Sequence, residues 1–177
     1  MTVSLAGMMG SGKSSVGREL SSLLSLPFID LDEYIVLKEG RRIAEIFSDS
    51  GEAAFRKLEL EALEEILGRP DMTEAGLVLS LGGGTLTTPE CMSLIGERTF
   101  CIYLKAETDT LYRRLRGESC HRPMLKAEDG ALLRTRIGRL LEERGPLYEK
   151  TARRTIATDG LSVKQIAGLA AGFLHEV

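Results

Sequence analysis

Residues Gly7 to Ser14 read Gly-Met-Met-Gly-Ser-Gly-Lys-Ser, the pattern G-x-x-x-x-G-K-[ST], set between the apolar run Thr2 to Ala6 and a stretch of helical periodicity. No other feature constrains the fold as strongly, because a loop of this kind has to join a strand to a helix. Its glycines let backbone N–H groups turn inward around a phosphate chain, through φ values and close approaches that a Cβ would block. The helix N-terminus contributes the positive end of its dipole, Lys13 reaches the β and γ phosphates, and the Ser14 hydroxyl is placed to ligate Mg²⁺. Gly10, Ser11, Gly12, Lys13, Ser14 and Ser15 are therefore the candidate nucleotide-binding residues. The competing account, a chance glycine-rich turn, has to explain strand, helix, Lys and Ser all in register.

Downstream, short apolar runs alternate with longer helical segments, the pattern of a parallel sheet with crossover helices. Candidate strands are Thr2 to Ala6, Pro27 to Asp30, Leu77 to Leu81, Thr99 to Leu104 and Arg154 to Thr158. Val16, Leu20, Leu23 and Leu24 make one apolar face of the first helix. A long helix is predicted from about Glu52 to Leu67, with Phe55, Leu58, Ala62, Leu63 and Ile66 on one side, and a last helix from Val163 to Leu174. Asp32 to Gly51 reads as a charged helical excursion and 116–129 as a segment without clear period; we take them as part of a substrate-side subdomain (about 32–60) and a lid. Both are otherwise solvated connectors, although loops longer than about 12 residues in compact domains are usually functional or disordered.

At 177 residues, 43% hydrophobic and 28% charged, the chain is expected to be one compact soluble domain. A net charge of −3 gives no reason to expect a nucleic-acid surface. Cys91, Cys101 and Cys120 lack the spacing of a disulfide or zinc framework, so a reducing cytosol fits best. The N-terminus does not read as a secretory signal, and the longest charge-free stretch, Ala75 to Pro89, is too short and too glycine-broken to span a membrane. With only His121 and His175, a metal would be bound through oxygens.

A phosphate loop specifies a nucleotide and leaves the reaction open. The chain has no Asn/Thr-Lys-x-Asp guanine-specificity motif and little room for a motor or AAA-type ATPase, so a small kinase is the natural class. Asp30-Leu31-Asp32 ends the second strand. Alternation is expected to send both carboxylates to one side, at the sheet edge where ligands bind. One would hold hydrated Mg²⁺ and the other would accept a hydrogen bond from an acceptor hydroxyl and help take its proton; alternatively Asp32 is only a helix N-cap. Arg56, in Phe55-Arg56-Lys57-Leu58-Glu59, could serve function or only pair with Glu52 or Glu59. Gly82-Gly83-Gly84 could present bare N–H groups to a ligand or simply build a loop.

Together, GMMGSGKSS, FIDLDEYI, FRKLE, SLGGG, HRPML and ERGPLY, in that order, closely resemble the shikimate kinase family over essentially the whole chain. The resemblance implies a three-layer α/β/α P-loop NTPase fold, a five-stranded parallel sheet in the order 2-3-1-4-5, and Mg²⁺-dependent phosphoryl transfer from ATP to the 3-hydroxyl of shikimate. It implies Asp30 beside Mg²⁺, Asp32 as shikimate ligand and base, and Arg56 and Arg144 on the shikimate carboxylate. Gly82, Gly83 and Gly84 would line the same pocket, and Arg122 would enter from the lid toward the transferring phosphoryl group. A planar guanidinium binds a carboxylate bidentately, a reason for Arg56 to be arginine. Arg113 and Arg114 are both candidates to stack on adenine, and a solvated helical face accounts for them equally well. Many family members carry a basic or proline-containing adenine loop where this chain has Thr158-Asp159-Gly160-Leu161-Ser162. Leu147 and Tyr148 are expected to be packing residues, and the protein a monomer. The rivals are a gluconate-kinase-like enzyme, a nucleotide monophosphate kinase or a non-catalytic nucleotide-binding regulatory module. Charge is divided along the chain: 11 acidic and 5 basic residues from Asp30 to Glu65, against 8 acidic and 13 basic from Lys105 to Arg154. The basic part contains the candidate lid and half of the carboxylate clamp, where anions need neutralising.

Overall fold

A computed structural model describes residues 1–116 and 130–175. Among them, strands β1 (Thr2–Ala6), β2 (Phe28–Asp30), β3 (Leu77–Ser80), β4 (Phe100–Lys105) and β5 (Arg154–Ala157) form one parallel sheet in the order β2-β3-β1-β4-β5. Each lies within one residue of its predicted bounds. Helices α1 (Lys13–Leu24) and α8 (Val163–His175) cover one face of the sheet, and α3 (Ile43–Gly68), α5 (Pro89–Arg98) and α7 (Gly130–Thr151) the other. The described residues also form three shorter α-helices: α2 (Leu31–Glu39), α4 (Pro70–Thr73) and α6 (Thr108–Arg116).

Side chains alternate between faces along each strand. Val3, Leu5, Val78, Ile102 and Leu104 meet Val16, Leu20, Ile166 and Ala170. Their neighbours Leu77, Leu79, Cys101 and Tyr103 meet Phe55, Leu63, Ile66, Ile95 and Tyr148. A parallel sheet buried on both sides needs apolar residues at nearly every position, which is why these strands read as continuous apolar runs. Chain reversal around the central β1 leaves a crevice beyond the carboxyl ends of β1 and β3, where the phosphate loop and the three glycines lie together.

The helical region before β3 differs from its prediction. Instead of starting near Glu52, α3 begins at Ile43 and runs through a non-helical residue, Gly51, at φ 81° and ψ 174°. The predicted excursion from Asp32 to Gly51 is thus α2 followed by the first turns of α3. Helices α5 and α7, the latter with Pro146 inside it, are additional to those drawn from the sequence. From residue 117 the predicted lid, with Arg122 and His121, lies outside the described residues. Among the described residues no helix is long and apolar enough to cross a membrane.

Candidate active site

Gly7, Gly10 and Gly12 have φ of 146°, 81° and 91°, so the loop after β1 takes backbone conformations that side-chain-bearing residues rarely adopt. Gly12 is the N-cap of α1. Lys13, only 8% exposed, folds back over the loop and donates from Nζ to the carbonyls of Gly7 (2.9 Å) and Met8 (3.0 Å). The Ser11 hydroxyl is buried without a hydrogen-bond partner, an orphaned donor inside a loop whose pattern suits phosphate. Above the loop is a cavity of about 630 Å³, lined by residues 9–16, Asp30, Asp32, Gly83, Arg114 and Leu161 among others.

Ser14 Oγ donates to Asp30 Oδ2 at 2.6 Å, which sets a hydroxyl and a carboxylate side by side at the cavity wall. Two hard oxygen donors next to a phosphate loop fit Mg²⁺, which is usually held by one or two protein oxygens plus phosphates and waters. The other Asp30 oxygen accepts from the backbone N–H groups of Asp32 (3.1 Å) and Glu33 (3.3 Å), making Asp30 the N-cap of α2. This corrects the sequence reading on two points. The cap is Asp30, not Asp32, and Asp32 reaches the cavity from the first turn of a helix, not by strand alternation, because the strand ends at Asp30. Both carboxylates still line one cavity.

Beside it lies a cluster around Arg56. Glu59, 0% exposed, accepts from Arg56 Nη1 through one oxygen and from the Thr85 hydroxyl through the other at 2.7 Å. Glu52, with a side chain 60% exposed, accepts from Arg56 Nη2 at 3.2 Å. Burial opposes the charge on Arg56, but Glu59 and Glu52 outweigh it and hold the guanidinium pKa above its ordinary value. The guanidinium lies against Gly84, where a Cβ would run into it, and Arg56 Nε is buried without a partner. A Cβ on Gly82 would come within 3.0 Å of Asp32 Oδ1 and 2.9 Å of Glu59 Oε1, so this glycine lets the two carboxylates approach. Arg144, buried in α7, donates from Nη1 to the Gly83 carbonyl at 3.1 Å, and the Tyr148 hydroxyl donates to the same oxygen. The crevice therefore gathers Asp30, Asp32, Arg56, Gly82, Gly83, Gly84 and Arg144 near the phosphate loop, with Arg56 and Arg144 behind the glycines and outside the lining of the main cavity.

On the opposite side, α6 backs the loop. Arg114 Nη1 donates to the Gly10 carbonyl at 3.2 Å and lines the cavity, whereas Arg113 is exposed and bonds within its own helix to Asp109 and Thr110. Of the two candidates only Arg114 faces the site. The loop after β5 is tied to α6 by Asp159, whose carboxylate accepts from the Glu107 N–H at 3.2 and 3.3 Å. A hydrogen bond from Thr110, first among several, holds the Asp159 carboxyl below its usual range. Leu161 and Val163 then give this end of the cavity apolar walls.

Sequence reasoning named Glu59 only as a possible ion-pair partner of Arg56 and Tyr148 only as a packing residue, and gave no role to Thr85 or Asp159. For Glu59 the signal was present: it lies four residues after Phe55 and four before Leu63, a carboxylate on the apolar stripe of α3. The others depend on long-range contacts that no local spacing reveals.

A family model described as Shikimate kinase matches residues 9–173. The chain is 42% identical over 164 residues to a shikimate kinase of Thermus thermophilus, a match covering 93% of this chain and 84% of that one. Among solved structures it is similar to shikimate kinase from Acinetobacter baumannii in complex with shikimate, with a TM-score of 0.90 and 31% identity over 99% of this chain and 93% of the other. The shikimate kinase from Bacteroides thetaiotaomicron gives a TM-score of 0.90 at 30% identity, covering 99% and 98%.

Proposed function

The chain belongs to the shikimate kinase family, and from that membership we propose how its own residues move the γ-phosphoryl group of ATP to the 3-hydroxyl of shikimate, giving 3-phosphoshikimate and ADP. It is an ATP-dependent kinase of aromatic amino acid biosynthesis. The observation that carries the residue assignment is the convergence of Asp32, Arg56 and Arg144 on Gly82 to Gly84, within reach of the phosphate loop. Two guanidiniums and a carboxylate suit an acceptor with one acid group and several hydroxyls, a description that fits gluconate as well as shikimate; family membership, not this charge pattern, favours shikimate over a gluconate-type kinase, a nucleotide acceptor or a regulatory module.

The backbone N–H groups of residues 10–15 and Lys13 hold the phosphate chain, Lys13 exchanging its loop carbonyls for phosphate oxygens. Arg114, Leu161 and Val163 flank the adenine. Ser14 and Asp30 would hold Mg²⁺, which when bound would neutralise negative charge on the phosphate chain. Arg56 and Arg144 bind the shikimate carboxylate and so aim the 3-hydroxyl along the line of transfer. Asp32 accepts that hydroxyl's hydrogen bond and takes its proton as the new O–P bond forms and the bond to ADP breaks. Lys13 neutralises charge on the transferring group, and the family resemblance assigns the same task to Arg122, which lies outside the described residues. The buried free thiols of Cys91 and Cys101 support a reducing, cytoplasmic setting.

An ADP-release assay run in parallel with shikimate, quinate, gluconate and AMP tests the reading. ADP release should depend on shikimate; turnover of another acceptor with none of shikimate would overturn it.

A further inference from the structure

Arg144 and Tyr148 lie one turn apart in α7 and donate to a single acceptor, the carbonyl oxygen of Gly83. A carbonyl oxygen has two lone pairs, so these donors saturate it. Gly83 also borders the phosphate loop, since a Cβ there would lie 3.2 Å from the Met9 nitrogen, and a shift of this carbonyl would disturb both halves of the crevice. Neither donor has access to water as a substitute: Arg144 is 6% exposed and Tyr148 1%. The Tyr148 ring is held in turn by Tyr103, with centroids 5.1 Å apart.

Arg144 gives one of its five N–H groups to the Gly83 carbonyl, and turning the guanidinium so that others meet a substrate carboxylate bidentately loosens that bond. If Arg144 alone bonded that carbonyl, the redirection would leave a buried acceptor unsatisfied, and this would oppose binding. Tyr148 keeps the oxygen bonded throughout. We propose that Tyr148 is a positioning residue for the acceptor substrate: its hydroxyl retains the Gly83 carbonyl while Arg144 engages the shikimate carboxylate, so the 82–84 loop keeps its shape as the clamp changes partners. The inference rests on the role given to Arg144 above.

Tyr148→Phe preserves the ring and its stacking and removes only the hydroxyl. The KM for shikimate should rise about tenfold, the effect of losing one buried hydrogen bond, with the KM for ATP and the kcat at saturating shikimate unchanged. Tyr103→Phe, which keeps the same ring contact and has no bond to Gly83, should leave both KM values as they are. Calorimetric titration of shikimate should show the same loss of affinity in Tyr148→Phe without relying on turnover. An unchanged shikimate KM in Tyr148→Phe, equal rises for both substrates, or a matching rise in Tyr103→Phe would each overturn the proposal. Wild-type protein separates the two readings: if it does not turn over shikimate, the functional assignment fails, whereas a normal wild type with an unaffected Tyr148→Phe sinks only the role of Tyr148.

Discussion

Gly84 shows how a residue without a side chain decides the chemistry next to it. Its backbone, at φ −109° and ψ −1°, is open to any residue, so what requires glycine is the Arg56 guanidinium lying against it. A methyl group there meets the far end of a flexible side chain, which can move aside. Gly84→Ala should therefore displace Arg56 from its place beside Glu59, and because this leaves a buried carboxylate without its ion-pair partner it should lower Tm as well. We expect the KM for shikimate to rise at least about tenfold, the scale of one lost charge-assisted hydrogen bond, with the KM for ATP unchanged. Steady-state kinetics with each substrate varied in turn checks this, and a comparable rise for ATP would argue that Gly84 supports the phosphate loop instead. The triplet of glycines was visible in the sequence, but its neighbour was not, because Arg56 and Gly84 meet only after the chain folds.

At the level of elements, α3 depends on Gly51. A φ of 81° with ψ of 174° is essentially restricted to glycine and breaks the helix between its first turns and the segment carrying Glu52, Arg56 and Glu59. Phe47 and Phe55 pack across the break with ring centroids 4.8 Å apart, so the bend is fixed by burial on both sides. A Cβ on Gly51 would meet nothing within 4 Å, so the cost of Gly51→Ala is backbone strain alone. It should destabilise the protein by about 1–3 kcal/mol, measurable by urea unfolding; no loss would mean that the bend relaxes freely. Periodicity detected the helix after Gly51, where Phe55, Leu63 and Ile66 are regularly spaced. The stretch before it read as a charged helical excursion but not as the start of the same helix, because the bend resets the phase of the apolar face.

For the molecule as a whole, burial on both faces of the sheet has a pH consequence. The Cys91 thiol is pushed up to about 12 and that of Cys101 to about 11, in both cases mainly by burial. An unfolded thiol titrates near about 8.5. The folded chain therefore keeps these protons after the unfolded chain has lost them. Their contribution to stability is complete below the unfolded pKa and is lost as pH rises through the folded values. Unfolding free energy should fall from about pH 8.5 upward, and Cys101→Ala should flatten that slope. Thiol reagents should label Cys91 and Cys101 only after denaturation, as mapped by mass spectrometry; labelling of the native protein at either position would show that the core opens far more readily than the packing implies.

The phosphate loop and the five strands could be read from the sequence because each rests on local rules, whereas Arg56, Arg144 and Arg122 became candidate ligands only through the family resemblance. Glycine conformations, a Lys-Ser pair at a helix start and apolar runs of a two-sided sheet depend on near neighbours in the chain. Tertiary structure decided the rest. It made Asp30 both cap and partner of Ser14, turned Arg114 and not Arg113 toward the cavity, and placed the Arg144 and Tyr148 donors on one Gly83 carbonyl. Those relations join residues as far as 104 positions apart in the chain. Their specificity arises from packing and hydrogen-bond satisfaction in three dimensions, which sequence spacing alone does not encode.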